Sequence, residues 1–261
     1  MRLCASTRQD SSTAPMAPIP PVAQPDPTLE ASDRALETVE RARPRRTYLG
    51  MSALGDECSR KLWFDYHDPL PQLHDAATFK RFLDGHVSED VLVNRIRLVS
   101  GLSLLSIDPD TGRQWALEDF EGRLRGHMDG VVIGLLQAPQ TWHIFEAKCS
   151  GEKIYAKLAK MKAEKGEKQA LRAWNVTYWV QAQLYMGYAK LTRHWLVCCT
   201  PGARDWIGVR TEFDPVEFEA LRDKARRILD ARAPLAKLSN DPSWYACKWC
   251  HYHTRCHGGA A

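Results

Sequence analysis

The cysteines constrain this fold more than any other feature of the chain. Cys247, Cys250 and Cys256 form a CxxC pair followed five residues on by a third cysteine, and a fourth candidate ligand, Cys58, lies near the opposite end. If one metal centre gathers all four thiolates, the two ends of the fold must meet and the chain between them closes into one long loop. Cys149, Cys198 and Cys199 sit in apolar, strand-like sequence and read as core, while Cys4 lies in an N-terminal tail. Such an uneven distribution fits metal ligands and buried thiols in a reducing cytoplasm better than disulfides.

The 261 residues, 44% hydrophobic and 26% charged, suit one sizeable globular domain. No run approaches the ~18 apolar residues needed to cross a bilayer, and the N-terminus lacks the layout of a secretory signal. The expected location is cytoplasmic, with no membrane partner. A net charge of +4 permits a nucleic-acid partner without demanding one.

Residues 1–45 are rich in Pro, Ser, Thr and Ala and read as a disordered tail with a short helix over Leu29–Arg41. Residues 46–261 read as a single domain. Ser52 is placed to cap a helix through Leu54, Cys58, Leu62 and Trp63, and a second helix is expected over 77–99, with Phe79, Leu83, Val87, Val93 and Ile96 on its apolar side. Two strands are expected between Trp115 and Leu136 and a third over 142–149. A lysine-rich polar stretch follows from Lys153 to Arg172, then an aromatic-rich helix over 176–191 and strands over 194–200 and 206–213. The last helix starts at Asp214-Pro215-Val216-Glu217, where Asp214 can cap and Glu217 can complete a capping box. Alternating helices and strands of this kind predict an α/β fold.

The chemistry concentrates on the strand Trp142-His143-Ile144-Phe145-Glu146-Ala147-Lys148. Its period of two puts Glu146 and Lys148 on one face, and such a pair on an otherwise apolar strand is costly unless it is used. A hairpin would bring Asp129 to Glu146. Two converging carboxylates suit Mg²⁺ or Mn²⁺, which bind one or two carboxylates together with substrate phosphate oxygens. Lys148 would then stabilise charge on a phosphodiester under attack or position the attacking water. Gln181 and Tyr185 are four apart on a helix, suited to contact phosphate or orient Lys148. His86 and Glu89 share a face of the upstream helix.

These residues together resemble the RecB-like branch of the PD-(D/E)XK nuclease superfamily. Asp129 stands as its first acid, Glu146-Ala147-Lys148 as the (D/E)XK tripeptide, Gln181-Ala182-Gln183-Leu184-Tyr185 as its QxxxY motif and Gly85-His86-Val87-Ser88-Glu89 as its first motif. Cys58 with Cys247, Cys250 and Cys256 is similar in order and spacing to the iron–sulfur members of that branch. Those members include CRISPR-associated RecB-like exonucleases, the AddB nuclease domain and phage-encoded relatives. The resemblance implies a restriction-endonuclease-like core, a central mixed sheet flanked by helices, with the C-terminal cysteines closing onto an N-terminal helix. It implies a metal-dependent exonuclease on linear single- or double-stranded DNA, working in recombination, repair or CRISPR-type processing in the cytoplasm, of a host if phage-encoded. A homo-oligomer or a recombination or CRISPR protein partner is compatible with that role.

By the same resemblance, Asp129, Glu146 and one of His86 or Glu89 hold the divalent metal, Lys148 assists attack, and Gln181 and Tyr185 support substrate or lysine. The four cysteines hold a [4Fe–4S] cluster. Zinc is the alternative there, with His251, His253 and His257 near enough to contribute. A non-catalytic DNA-binding or interaction module of the same fold is the alternative to the enzyme. The lysine-rich stretch reads equally as a solvated helix and as part of a DNA path, and Tyr178 and Trp179 read as core.

Overall fold

The computed structural model describes residues 26–71 and 74–258. Residues 1–25, which hold Cys4 and most of the expected tail, lie outside the described residues, as do the last three. The short helix expected over Leu29–Arg41 is present as α1, which spans Pro27–Arg41. Asp26 caps it, accepting from Thr28 N at 2.8 Å, and Pro27 fits the first turn. None of its residues is buried. It is held by polar bonds to α3 (Ala76–Ile96) and the chain before it: Lys80 Nζ lies 2.5 Å from Asp33, and Glu37 accepts from Ala76 N at 2.9 Å. Composition marks residues 1–45 as polar, but these long-range bonds order their last third.

The first core segment departs from the expected single helix. A two-residue strand, β1 (Leu49–Gly50), runs into a 3-10 turn over Met51–Ala53 that contains Ser52, and α2 starts only at Ser59, ending at His67. Cys58 is the cap of α2 and not part of its body: its Sγ accepts from Lys61 N at 3.4 Å. A thiol here does what a serine hydroxyl does elsewhere.

Two sheets follow. β2 (Ser103–Leu105), β5 (Gly130–Ile133), β6 (His143–Cys149), β7 (Arg193–Cys199) and β8 (Trp206–Glu212) form a five-stranded sheet in the order β2-β5-β6-β7-β8. Within this sheet only β6 and β7 pair in parallel. β3 (Ala116–Asp119) and β4 (Leu124–His127) join β1 in a smaller sheet. The stretch expected to hold two strands thus holds three, because the chain leaves the small sheet at His127 and enters the large one at Gly130, with Asp129 at the crossing.

Both faces of the large sheet are covered, so β6 is buried along most of its length and not only on alternate residues. Phe145 and Ala147 join Leu92 and Ile96 of α3, with Val197 and Cys199, in one core cluster. Ile144, Leu196 and Cys198 face the other cluster, which includes Trp179, Val180 and Leu184 of α6 (Val176–Ala189) and Leu221, Ala225 and Leu229 of α7 (Pro215–Asp230). Between β6 and α6 lie α4 (Glu152–Lys165) and α5 (Glu167–Trp174), which carry the lysine-rich stretch. This is the mixed sheet flanked by helices expected of a restriction-endonuclease-like core.

Two local expectations change. Along α3 the buried positions are Ala76, Ser88, Leu92 and Ile96, whereas Leu83 and Val87 are exposed, because the N-terminal half of the helix overhangs the sheet. Asp214 caps α7, accepting from Val216 N and Glu217 N, but its own N–H goes to Gln183 Oε1 at 2.8 Å, so a bond from α6 takes the place of the capping box. The C-terminus, with α8 (Tyr245–Lys248) and α9 (His253–His257), closes onto α2. Tyr252 stacks on Phe64 at 5.0 Å and donates to Asp65 at 2.8 Å, and Arg255 pairs with Asp68 at 2.6 Å.

α6 and α7 meet at Gly187, where a Cβ would stand 2.3 Å from the Phe218 ring. Gly187→Ala gains helix propensity, about 1 kcal/mol. It should nevertheless destabilise the protein, by roughly 1–3 kcal/mol, through overpacking. Urea midpoints of the two proteins test this, and a variant as stable as wild type would show that the contact is slack.

Candidate active site

Asp129, Glu146 and Lys148 converge where β5 and β6 meet. Gly130 pairs with Phe145 in the antiparallel ladder, so the residue before one faces the residue after the other. Asp129 Oδ2 accepts from Ala147 N at 2.9 Å. Lys148 Nζ lies 2.5 Å from Glu146 Oε1 and 3.9 Å from Asp129 Oδ2. The period-two reading of the strand holds: the carboxylate and the ammonium share one face and touch.

Glu146 is 3% exposed and approached from α6. Gln181 Nε2 donates to Glu146 Oε1 at 2.8 Å and to the Tyr185 hydroxyl at 3.1 Å, and that hydroxyl donates to His127 O at 2.9 Å. The chain of bonds runs from the strand carboxylate through α6 to the end of β4. Gln181 and Tyr185 are themselves buried, so they face neither solvent nor Lys148 but hold Glu146. Close approach of Tyr185 depends on Gly126, where a Cβ would lie 2.5 Å from Tyr185 Cε1 and 2.7 Å from Met51 Sδ.

From the other side of the sheet, Glu89 of α3 reaches the end of β6, where Oε1 accepts from Cys149 N at 3.0 Å. His86, one turn earlier, is exposed and lines the same cleft as Glu89, Lys148, Cys149 and Tyr178. The Lys148 ammonium stands 5.6 Å from the Tyr178 ring centroid. Tyr178 is thus part of the site and not plain core; its spacing of three from Gln181 puts the two on one helix face.

Glu89, Asp129 and Glu146 set three carboxylates against one ammonium. Burial, reinforced by Asp129, pushes the Glu146 carboxyl up to about 7 although Lys148 pulls the other way. Burial likewise raises Glu89. Burial would lower Lys148, but the carboxylates of Glu146 and Asp129 outweigh it and hold the ammonium charged. The second oxygen of Glu146, Oε2, is buried without any hydrogen-bond partner among the described residues.

That orphaned oxygen, beside other hard carboxylate oxygens and a surplus of negative charge, is the donor set a small divalent cation takes. Among the described residues, however, no three His, Cys, Asp or Glu side chains are gathered tightly enough to grip a metal ion. At the carboxylates, Lys148 is the cation they share.

The same holds for the thiols. Cys58, Cys247, Cys250 and Cys256 line one cavity of about 590 Å³, together with His251, His253 and His257. Burial raises the Cys247 and Cys250 thiols, and proximity to Cys58 and Cys256 adds to it. Four thiols from opposite ends of the chain facing one cavity suit a thiolate-bound metal or cluster. Trp249 borders this cavity but is 82% exposed rather than packed against it.

No family model matches the sequence, and no curated protein is significantly similar to it. Solved structures are similar in fold at low identity. An alkaline exonuclease, LHK-Exo from Laribacter hongkongensis, is 13% identical over 75% of this chain and 90% of its own, with a TM-score of 0.47. SSO0001 is 12% identical over 91% and 98%, with a TM-score of 0.47. A phage related exonuclease from Haemophilus somnus 129PT is 14% identical over 70% and 92%, with a TM-score of 0.46. The functional reading therefore rests on the site's own geometry.

A carboxyl raised in the folded state favours folding when protonated, so its contribution is present at low pH and is lost as pH rises through about 7. In chelator, wild type should lose on the order of 2 kcal/mol relative to Glu146→Gln between about pH 5 and pH 8. Paired urea titrations at the two pH values measure this, and a constant difference would show that Glu146 titrates as an ordinary carboxylate.

Proposed function

We propose that the chain is a divalent-metal-dependent nuclease that hydrolyses phosphodiester bonds at DNA ends. The observation that carries this reading is the buried Glu146, with one oxygen orphaned and the other shared by Lys148 and Gln181. Nothing structural explains an unpaired buried carboxylate oxygen beside two more carboxylates, because such a group destabilises the fold.

Glu146, Asp129 and either Glu89 or His86 would hold Mg²⁺ or Mn²⁺; when bound, the cation supplies charge neutralisation for the phosphodiester and acidifies a water. Lys148 is kept protonated by its carboxylates, so it serves as a donor to a phosphate oxygen and not as a base. Gln181 and Tyr185 are positioning residues: Gln181 bonds Glu146 Oε1 and is itself held by the Tyr185 hydroxyl, which leaves Oε2 for another partner. Tyr178 covers the ammonium and excludes water from one side of it.

Lys148→Ala should lower turnover on linear DNA about 10²–10³-fold. Gln181→Leu should cost about 10–100-fold, with weaker metal affinity and hence a higher metal requirement. End-labelled oligonucleotides with Mg²⁺ or Mn²⁺ provide the assay. Cutting that persists in excess chelator rules out the metal mechanism, and undiminished cutting by both Glu146→Ala and Lys148→Ala removes these residues from it. DNA binding without any cutting would leave a non-catalytic binding module.

We further propose that the four cysteines hold a [4Fe–4S] cluster that clasps the C-terminus to α2, and that the enzyme works on ends arising in recombination, repair or CRISPR-type processing. Anaerobically purified protein should carry iron and sulfide. Cys250→Ala should lose both, together with several degrees of unfolding temperature. An iron-free, zinc-loaded protein assigns the site to zinc and leaves the nuclease reading intact.

A further inference from the structure

The overhanging half of α3 leaves an apolar stripe uncovered: Phe82 is 49% exposed, Leu83 42% and Val87 63%. Its position gives it meaning. Phe79, Phe82 and Leu83 line a cleft of about 410 Å³ whose lining also includes Glu89, Lys148 and Tyr178. Part of the apolar surface and the Glu89–Lys148 edge of the site therefore share one concavity, whose lining includes neither Asp129 nor Glu146.

Three rings form a group on the apolar side. His74 meets Phe79 and Phe82 edge-on, with centroids 5.8 and 5.5 Å apart, and Phe79 meets Phe82 at 6.5 Å and 76°. No pair in the group is face to face, so none of these rings is covered by a parallel partner from within it. Flat, half-exposed aromatic surface of this kind stacks an unpaired base.

Between the rings and the acids lies Gly85, which also lines the cleft. A glycine inside a helix costs about 1 kcal/mol against alanine. Packing among the described residues does not require it here, since none of their atoms lies within 4 Å of where its Cβ would stand. The glycine keeps the helix wall bare along the path from Phe82 to Glu89. That path covers seven residues, about 10 Å of helix, or roughly three nucleotides at a spacing of ~3.4 Å.

The charge at the rim fits the same occupant. Arg43 is matched by Glu40 at 2.7 Å. Arg81 donates to Thr78 Oγ1 at 2.8 Å and forms no ion pair among the described residues, and the exposed His86 lines the same cleft.

We propose that this cleft seats the unpaired end of a single strand, its base stacked on the Phe82–Phe79 group and its backbone crossing Gly85 to reach Lys148. The inference rests on the nuclease reading and gives its substrate: a single-stranded or frayed end, since base faces within a duplex are already stacked on one another.

The test is binding without cutting. Fluorescein-labelled single-stranded and blunt duplex oligonucleotides of one sequence are titrated with the protein in Ca²⁺ in place of Mg²⁺ and followed by anisotropy. Wild type should prefer the single strand. Phe82→Ala should weaken that binding about tenfold and leave the duplex unaffected. Gly85→Leu should weaken it comparably while raising the unfolding temperature, which a damaged fold would not do. A strand with an abasic terminal nucleotide should reproduce the loss in wild type and add nothing to Phe82→Ala. Single-strand binding untouched by both substitutions, or losses equal on strand and duplex, overturns the cleft assignment alone. Binding of neither oligonucleotide overturns the nuclease reading with it.

Discussion

A carboxylate buried to 3% exposure beside an ammonium, with one oxygen unpartnered, is expensive in any fold, and much of this molecule is arranged around Glu146. The sheet supplies Lys148 two residues on and Asp129 across the hairpin, and α6 supplies Gln181 and, through it, Tyr185. Each needs its own support. Tyr185 reaches the His127 carbonyl over Gly126, and α6 is fixed from behind by Gln183, whose amide donates to Glu212 O and whose carbonyl accepts from Asp214 N. The bonds that start at one strand residue thus extend into both sheets and the start of α7. Removing the carboxylate's partners singly would leave a buried charge, and this is why the group acts as a unit.

The electrostatics explain why such a group suits chemistry on a phosphodiester. With three acids and one lysine the local balance is negative, and burial has already pushed Glu146 to about 7. A phosphate alone would be repelled, whereas a dication with its phosphate ligand is attracted. Lys148 is held charged by the carboxylates of Glu146 and Asp129 against the burial that would lower it. The cysteine cavity lies elsewhere, between α2 and the C-terminal turns, and takes no part in this balance.

Much of the site was legible because it depends on local periodicity. Alternation along 142–149 put Glu146 and Lys148 on one face, a hairpin joined Asp129 to them, and helical spacing put Gln181 and Tyr185 on one side of α6. What escaped depends on distant partners. β1 and β2 are too short to show alternation. Cys58 is a helix cap, and the bonds that tie the expected helix over 27–41 to α3 join residues that composition does not pair. The direction of Gln181, toward the carboxylate and not the lysine, is a contact across 35 residues. No spacing rule reports it.

α3 shows how the same signal can be right about an element and wrong about its use. Its i, i+4 pattern of Phe79, Leu83 and Val87 is that of a helix packed along its whole length, and the helix is there. The sheet beneath it ends, however, and burial shifts to Ser88, Leu92 and Ile96, where Ser88 accepts from Gly202 N at 2.9 Å. A pattern strong enough to predict burial but left in solvent is better evidence of an occupant than a polar face would be, because the apolar residues have no structural role among the described core. Glu89 and His86 sit at the turn where one regime gives way to the other. The helix thus carries its acid to the edge of the sheet on packed residues and extends its uncovered stripe beyond it.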